Sequence, residues 1–514
     1  MFALPRPDQI VDAVAHRSVR WLGGSFAGAP SARTALRRRP AGELLADHAC
    51  MTVRLDRGDH PAWSDVEPLV SRLLQAADHA VACKRHRQAF SLADRALRIA
   101  YHPSVHTGPD GSVLMLDQER FLAPFRASTA GRFLLFAPDP DEHRASAEPT
   151  ERPERPLRVL VLSHSSWTFV HRVMDDLSTH ENVEFRVVDL SRLPLGVRPT
   201  HALAMKARTD FWRHGRLQPV PTQLVDALTW ADTVYLEWGT YPLTWFSMLD
   251  LAPFRVRRVA RVHRFEMTTP YPLLARSAAF DEIAFVAPHV RTFMESASPR
   301  LAQAGRLRTV QNIHSLPARP RNQTNRDLYE LLQVGWAPRV KDVLFTLDIL
   351  DELRRTDQRF HLTLIGHDLD RSPGSRSRDW TEHVQRRIDA VGDAVTILGY
   401  RRDVPDLLGG AGFLVSASRN EGTHESVAEA AAAGCIPTVR DWPENRPWGG
   451  AASVYPAHWT VTTPQEAAAQ IRLLCDQHRH ATEADAREQW VRADRNPGRL
   501  RREYMEFLTG SGPH

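Results

Sequence analysis

The stretch that decides the fold is SRNEGTHESVAEAAAAGCIP, residues 418–437. Its two glutamates, Glu421 and Glu429, stand eight residues apart. The first lies in a polar break after the strand-like run GFLVSAS (412–418), and the second lies within an alanine-rich helix that ends at Gly434. Both carboxylates can therefore face the space above the end of a strand, which is where open α/β sheets bind their ligands.

The start of the predicted helix adds a second binding feature. A helix N-terminus offers free N–H groups and the positive end of the helix dipole, which together favour an anion. Two carboxylates can hold the hydroxyls of two polyols while the helix end holds phosphate, which is the layout expected for a nucleotide sugar. Glu425 lies four residues before Glu429 on the same helical face, and it complicates the assignment of ligands.

This segment resembles the EX7E motif of retaining GT-B glycosyltransferases, in particular those of family 4. That family reads S-x-x-E-G, then seven residues between the two glutamates, then E-A-x-A-x-G-x-P. The matching positions are Ser418, Glu421, Gly422, Glu429, Ala430, Ala432, Gly434 and Pro437. The resemblance implies two Rossmann-like domains in tandem and an enzyme that takes a sugar from a nucleotide-sugar donor.

Apolar runs of strand length alternate with helical spacers over most of the chain. The runs lie at 157–166, 183–190, 232–238, 257–263, 282–287 and 307–312, and again at 329–335, 360–366, 394–399, 412–418 and 435–440. Alternation of this kind predicts parallel, doubly wound sheets. The predicted fold class is α/β, with two doubly wound Rossmann-like domains (GT-B) preceded by a smaller, mainly helical N-terminal accessory region.

The breaks in this alternation predict the domain boundaries. We expect a partly helical accessory region over 1–150 with a linker to about 156, an acceptor-side domain over 157–320, a nucleotide-sugar-binding domain over 321–487, and a C-terminal helix over 488–514. The GT-B resemblance implies that this last helix returns to the first of the two sheet domains.

The loop after the first strand of the second block reads VGWAPRVKDV (334–343). The family usually has V-G-R with a lysine five residues after the arginine, so Gly335 and Lys341 match and Trp336 replaces the arginine. Arg339 is the candidate for the missing cation. Lysine occurs at only three positions of this arginine-rich chain, which favours a role for Lys341 as a compact point charge on phosphate.

The sequence favours chemistry without a metal ion. Asp368 and Asp370 have the spacing of an Asp-x-Asp pair, but they follow Gly366, where the family has a glycine-rich loop, so we interpret them as loop carboxylates. Two fixed cations and a helix N-terminus can neutralise a departing nucleoside diphosphate. We therefore expect neither a metal nor another cofactor.

Two loops of the first sheet block are candidates for the other side of the site. The loop HSSWTF (164–169) lacks the glycines that relatives place there, and Ser165 and Ser166 are alternative hydrogen-bond donors. The strand of VARVHRFE (259–266) ends at His263, where family members often carry a histidine near the donor sugar. A neutral imidazole can hydrogen-bond a sugar hydroxyl or the leaving phosphate. A packed histidine without such a role is the alternative.

The composition is that of a soluble globular chain of 514 residues with a net charge of +5. No apolar run approaches the ~20 residues needed to cross a bilayer, and the N-terminus lacks the apolar core of a signal peptide. We therefore expect a cytoplasmic location. The arginine tract at 37–39 indicates either a solvated segment or a peripheral contact with anionic lipid. No aromatic-basic module indicates a nucleic-acid partner.

The resemblance implies a role for each matching residue. The catalytic candidates are Glu421 and His263, and the donor-binding candidates are Lys341, Arg339, Glu429, Gly335, Gly422, Thr423 and Ser426. The expected donor is a UDP- or GDP-sugar, and the expected acceptor is a glycan, a lipid-linked sugar or a small hydroxyl compound. Two alternatives stay open: a nucleotide-sugar epimerase on the same fold, and a non-catalytic protein that binds a sugar or a partner.

Overall fold

The computed structural model describes residues 40–139, 155–164, 167–319, 326–372 and 377–511. Three features singled out in the sequence lie wholly or partly outside these ranges: the arginine tract at 37–39, the serines at 165 and 166, and most of the predicted linker that ends at about 156.

Seven helices fill the described part of the chain before the first strand. They are α1 (Pro40–Asp56), α2 (Trp63–Ala82), α3 (His86–Ala100), α4 (Pro103–His106), α5 (Val113–Leu116), α6 (Gln118–Ala127) and α7 (Thr129–Leu135). Helices α2 and α3 pack against each other. The buried residues of α3 include Ala89, Phe90, Ala93, Ala96 and Leu97, whose spacing places them on one face. The prediction of a mainly helical N-terminal region is confirmed.

The first sheet has six parallel strands in the order β2-β1-β3-β4-β5-β6. The strands are β1 (Leu157–Ser163), β2 (Val183–Asp189), β3 (Thr233–Glu237), β4 (Arg257–Val262), β5 (Glu282–Phe285) and β6 (Leu307–Thr309). The helices between and after them are α8 (Trp167–His180), α9 (His201–His214), α10 (Thr222–Trp230), α11 (Tyr241–Ser247), α12 (Tyr271–Leu274) and α13 (Pro288–Ala297).

The second sheet also has six parallel strands, in the order β12-β11-β10-β7-β8-β9. The strands are β7 (Asp327–Val334), β8 (His361–Ile365), β9 (Val395–Gly399), β10 (Ala411–Ser416), β11 (Ile436–Arg440) and β12 (Thr460–Val461). The helices are α14 (Val343–Arg354), α15 (Arg378–Val391), α16 (Val404–Gly410), α17 (Glu425–Ala433) and α18 (Pro464–Leu474).

The prediction of two doubly wound sheets is confirmed. Central strands covered by helices on both faces are apolar along their whole length, and β1 and β10 are almost entirely buried. Because these strands are buried, they appear in the sequence as apolar runs that can be recognised. Strand β12 was not predicted, because a strand of two residues is too short to show a pattern.

The last two helices leave the second sheet and pack on the first. Helix α19 spans Gln477–Asp494, so the predicted domain boundary between residues 487 and 488 falls inside a helix. Helix α20 (Pro497–Thr509) lies against β3 and β4. Its Leu508 carbonyl accepts a hydrogen bond from Thr233 Oγ1 at 2.8 Å. The C-terminal end of the chain therefore ties the two sheet domains together.

The helical region contacts both sheet domains. Gln118 Nε2 donates to the Phe293 carbonyl at 3.1 Å in the first domain. In the second domain, Arg419 Nη1 donates to the Pro109 carbonyl at 2.7 Å, and Trp448 Nε1 donates to the Met115 carbonyl at 2.7 Å. The segment around residues 109–118 therefore spans the contact between the two sheets. Within the described residues, no helix is both long and apolar enough to cross a membrane.

Candidate functional site

The loop at 418–424, which follows β10, meets the ends of β4 and β5 of the first sheet. We call this contact the interdomain junction. Arg264 donates a hydrogen bond to Asn420 Oδ1 across it. A Cβ added to Gly422 would stand 3.4 Å from Val286 and 3.7 Å from Arg264. The small size of Gly422 therefore lets the two domains approach each other here.

The backbone of Glu421 is held from both domains. Its N–H donates to Asn445 Oδ1 at 3.0 Å, and its carbonyl accepts from His289 Nε2 at 2.8 Å. His289 lies in the first turn of α13, after β5. Burial lowers the pKa of His289 to about 4, so at neutral pH its ring is uncharged and one nitrogen carries the donated proton. The first domain thus fixes the backbone of the candidate catalytic residue.

The carboxylate of Glu421 is paired with Lys341. Lys341 Nζ lies 2.5 Å from Glu421 Oε1, and Ser418 Oγ donates to the same oxygen at 2.8 Å. Burial by itself would raise the pKa of Glu421, but the Lys341 ammonium holds that pKa well below its usual range. Glu421 is therefore ionised, and the two strongest sequence candidates form one ion pair.

The loop after β7 positions Lys341, and the conformation of this loop depends on Gly335. Gly335 has a φ of +71°, a conformation that favours glycine, and a Cβ there would lie 3.7 Å from Lys341 Cε. Gln333 Nε2 donates to the Lys341 carbonyl at 2.9 Å. The replacement of the family's arginine by Trp336 has a packing reason, since Trp336 is fully buried in the core of the second domain.

The Arg339 side chain does not point towards the Lys341–Glu421 pair, although Arg339 stands two residues before Lys341. Its guanidinium lies 5.1 Å from the ring centre of Trp380. It lines a cavity of about 1100 Å³ between the helical region and the second sheet, which neither Lys341 nor Glu421 lines. We call this cavity the outer cleft. The structure therefore does not bring Arg339 together with Lys341 as a cation pair.

The two glutamates of α17 turn towards the segment that leaves the first sheet. Glu429 Oε1 lies 2.9 Å from His314 Nε2, and about a quarter of its side chain is exposed. Glu425 accepts from Asn312 Nδ2 at 2.8 Å and from Thr423 Oγ1 at 2.6 Å. Glu425 is therefore occupied by protein partners, whereas Glu429 retains an accessible part.

The remaining donor-binding candidates surround the start of α17. The Thr423 carbonyl accepts a hydrogen bond from the Tyr455 hydroxyl, and Ser426 is 8% exposed. Between them, His424 has a φ of +46° and its Nδ1 lies 2.6 Å from Ser416 Oγ. Burial, followed by the charge of Lys341, lowers the pKa of His424 to about 4. A second neutral imidazole thus lies beside the Lys341–Glu421 pair.

His263, at the end of β4, is paired with a buried carboxylate. Its Nε2 lies 2.8 Å from Glu237 Oε1, and its backbone N–H donates to Glu266 Oε2 at 2.8 Å. The Trp238 ring stacks on the imidazole with centroids 4.0 Å apart. Burial lowers the pKa of His263 although Glu237 opposes the shift. The neighbouring Arg264 contact with Asn420 places this end of β4 at the interdomain junction.

Sequence reasoning missed three residues of this site: Glu237, His289 and His424. Glu237 is the last residue of β3, so its position at a strand end was a usable signal. His289 follows β5 by a few residues, and His424 lies between the two glutamates of the motif. No pattern in the local sequence predicts the hydrogen bond from His289 to the Glu421 carbonyl. No group of three or more His, Cys, Asp or Glu residues in the described part of the chain is arranged to hold a metal ion.

Comparison with known proteins agrees with this geometry. Residues 329–473 match the family described as Glycosyl transferases group 1, and this range contains Lys341, Glu421 and Glu429. No curated protein is similar enough in sequence to be matched.

Solved structures resemble the chain in fold. HepE of Anabaena in complex with UDP superposes with a TM-score of 0.51 at 15% identity, over 69% of this chain and all of HepE. The complex of HepE with UDP and glucose gives a TM-score of 0.50 at 13% identity, with the same coverage. TarM of S. aureus gives a TM-score of 0.45 at 11% identity, over 56% of this chain and 57% of TarM.

The two parallel sheets, the family match and the fold comparisons agree with one another. Residues 329–473 are similar to the glycosyl transferases group 1 family, and the two tandem parallel sheets have the GT-B fold.

Proposed function

We propose that this protein transfers a sugar from a UDP- or GDP-sugar to a hydroxyl-bearing acceptor, with retention of the anomeric configuration and without a metal ion. The observation that carries the proposal is the partly buried pair of Lys341 and Glu421, whose charged atoms lie 2.5 Å apart beside the interdomain junction. The pair supplies a cation for phosphate and an anion for the sugar at one point of the site.

Glu421 acts on the donor sugar. Its ionised carboxylate accepts hydrogen bonds from sugar hydroxyls and stabilises the positive charge that develops at the anomeric carbon. The hydrogen bond from His289 to its carbonyl and the one from its N–H to Asn445 Oδ1 fix its position before the substrate arrives, so little reorganisation is needed during the reaction.

Lys341 acts on the diphosphate. A lysine ammonium has three N–H donors, so Lys341 can keep its contact with Glu421 and still donate to a phosphate oxygen. In the reaction, the bond between the anomeric carbon and the diphosphate oxygen breaks, and the acceptor oxygen forms its bond to the same face. The acceptor proton passes to the leaving phosphate, whose negative charge Lys341 stabilises.

Glu429 and His263 have supporting roles in this proposal. One oxygen of Glu429 keeps its contact with His314 while the other accepts from the ribose hydroxyls. His263, uncharged and oriented by Glu237, serves the sugar or phosphate from the first domain. Gly335, Gly422, Thr423 and Ser426 shape the walls of the donor site around these groups.

The first experiment identifies the donor. A thermal-shift screen of UDP- and GDP-sugars should show one donor that raises the melting temperature well above the others, because a ligand that binds only the folded state stabilises it by mass action. UDP-glucose should be tested first, since HepE has been solved with UDP and glucose. A flat screen would count against a nucleotide-sugar site.

The second experiment establishes the reaction. With the donor and a hydroxyl acceptor, release of nucleoside diphosphate should continue in excess EDTA, and proton NMR should show the donor's anomeric configuration in the product. Inversion would contradict the retaining mechanism, and inhibition by EDTA would contradict metal independence. Conversion of the donor to an isomer without acceptor would instead indicate an epimerase, and donor binding without turnover would indicate a non-catalytic protein.

A further inference from the structure

The outer cleft is built from two parts of the molecule. The helical region contributes the turn between α1 and α2, including His60, and the segment from Pro109 to Leu116. The second sheet contributes Arg339 and the first turns of α15, including Asp379. At about 1100 Å³ the cleft exceeds the range of roughly 300–1,000 Å³ typical of sites for small ligands. It has room for a ligand longer than a single sugar ring.

Many of the charges that line the cleft are already neutralised by one another. Three ion pairs lie in its walls: Arg54 with Asp59 at 3.2 Å, Arg419 with Glu444 at 3.0 Å, and Arg440 with Asp342 at 2.6 Å. The cleft is therefore polar without carrying a strong net charge of either sign.

Outside these pairs the lining holds two arginines, three aspartates and two histidines: Arg339, Arg386, Asp65, Asp110, Asp379, His60 and His383. Arg339 lies on the Trp380 ring, and Trp380 is itself fixed by a 2.8 Å hydrogen bond from Nε1 to the Ala337 carbonyl. Among the described residues, neither Arg339 nor Asp379 has a side-chain hydrogen bond or ion pair with a protein group. Burial, and then the charge of Arg339, lowers the pKa of His60, while Asp379 opposes the shift. Arg339, Asp379 and His60 therefore all line the same cleft.

We propose that the outer cleft binds the acceptor as a neutral, hydroxyl-rich carbohydrate chain. Each sugar hydroxyl both donates and accepts, so Asp379 can accept from it and Arg339 can donate to it. A neutral His60, whose Nδ1 donates to the Ser104 carbonyl at 2.8 Å, can accept at Nε2. Pro109 and Leu116 offer apolar surface for the C–H faces of the rings. A polyanionic chain fits less well, because it would meet the unpaired carboxylate of Asp379.

This inference rests on the proposed transferase function, and it names the class of acceptor. Its test needs no donor. The full-length protein, fluorescently labelled, is applied to a glycan array that carries neutral glucans, mannans and chitooligosaccharides beside sulfated and uronic-acid oligosaccharides. We expect binding to at least one neutral class of more than one sugar unit.

Two variants assign that binding to the cleft. Asp379→Ala removes an acceptor of hydrogen bonds, and Leu116→Trp fills part of the space from a side chain that is 42% exposed. Asp379→Ala should weaken glycan binding about tenfold, the effect of losing one charge-assisted contact. Leu116→Trp should also weaken binding, because it occupies space that the ligand needs. Asp393→Ala, an exposed aspartate on the same domain that does not line the cleft, should bind as the wild type does.

The outcomes separate the two proposals. Absence of glycan binding, binding only to the anionic glycans, or binding unaffected by both cleft variants would each overturn the cleft proposal, with melting temperatures recorded to show that the variants fold. The transferase proposal is judged separately by donor turnover in the wild type and in Glu421→Gln. Glu421→Gln should still bind the glycan, because Glu421 does not line the outer cleft.

Discussion

Two neighbouring sites differ in how their charges are arranged. At the interdomain junction, one cation and one anion form a single, largely buried pair, Lys341 with Glu421. In the outer cleft, Arg339 and Asp379 form no ion pair with each other and are accessible, while three other ion pairs lie in the walls. A paired charge suits a fixed chemical step, whereas separated polar groups suit a ligand with many hydroxyls. The loop between β7 and α14 supplies a residue to each site.

The largest effect that this comparison predicts is at Glu421. Glu421→Gln keeps the shape of the side chain and its neighbours but removes the negative charge from the anomeric centre. We expect the rate of transfer to fall by roughly 10²–10³, the usual loss when a group that stabilises transition-state charge is removed. Steady-state release of nucleoside diphosphate measures it. A rate equal to the wild type, with an unchanged melting temperature, would remove Glu421 from the chemistry.

The next effect is at Lys341. Lys341→Ala should weaken the donor and the free nucleoside diphosphate together, because a charge-assisted contact with phosphate is worth ~1.5–3 kcal/mol. Isothermal titration calorimetry should show the dissociation constant rise roughly tenfold or more. Lys206→Ala, which removes an exposed lysine paired with Asp210, is the matched control and should bind as the wild type does. An unchanged affinity in Lys341→Ala would move the phosphate site to another cation.

A smaller effect concerns His289, which holds the Glu421 backbone. The unfolded chain binds a proton on this histidine near its ordinary pKa of 6.5, whereas the folded protein does so only near 4. Unfolding therefore takes up a proton between these values, and the free energy of unfolding falls as the pH falls from 6.5 towards 4. Between pH 7 and 5.5 the contribution of His289 is about 1 kcal/mol.

Urea unfolding at both pH values measures that contribution. His289→Gln keeps a donor for the Glu421 carbonyl but does not titrate, so its stability should fall by about 1 kcal/mol less than that of the wild type over this pH range. Replacing the exposed His478 by Gln should leave the wild-type pH dependence unchanged. Equal pH dependence in wild type and His289→Gln would show that His289 is not buried in its neutral form.

The smallest expected effect is at Arg339. If the two sites are separate, Arg339→Ala should change the affinity for nucleoside diphosphate by less than about threefold, in contrast to Lys341→Ala. The same calorimetric titration measures both. A loss of affinity as large as that of Lys341→Ala would show that Arg339 binds the pyrophosphate, as the sequence predicted. The outer cleft and the donor site would then be one site.

Much of the fold and part of the site were readable from the sequence. Strands covered on both faces are continuous apolar runs, so the two parallel sheets follow from the alternation of such runs with helical spacers. Glu421 and Lys341 stand at strand ends, and ligands of parallel sheets bind at that edge. The sequence therefore identified both members of the ion pair, although they are 80 positions apart.

Only the tertiary structure decided how these side chains are used. Arg339 and Lys341 share one loop, but Arg339 lies on Trp380 while Lys341 reaches Glu421, because each side chain follows the surface packed beside it. His289 becomes part of the site only when the two sheets meet, and Glu237 reaches His263 because β3 and β4 pair within the first sheet. The outer cleft exists only because the helical region is docked on the second sheet. The local sequence determines the hydrophobic periodicity and the ends of the strands. Contacts between distant segments determine which side chains face one another.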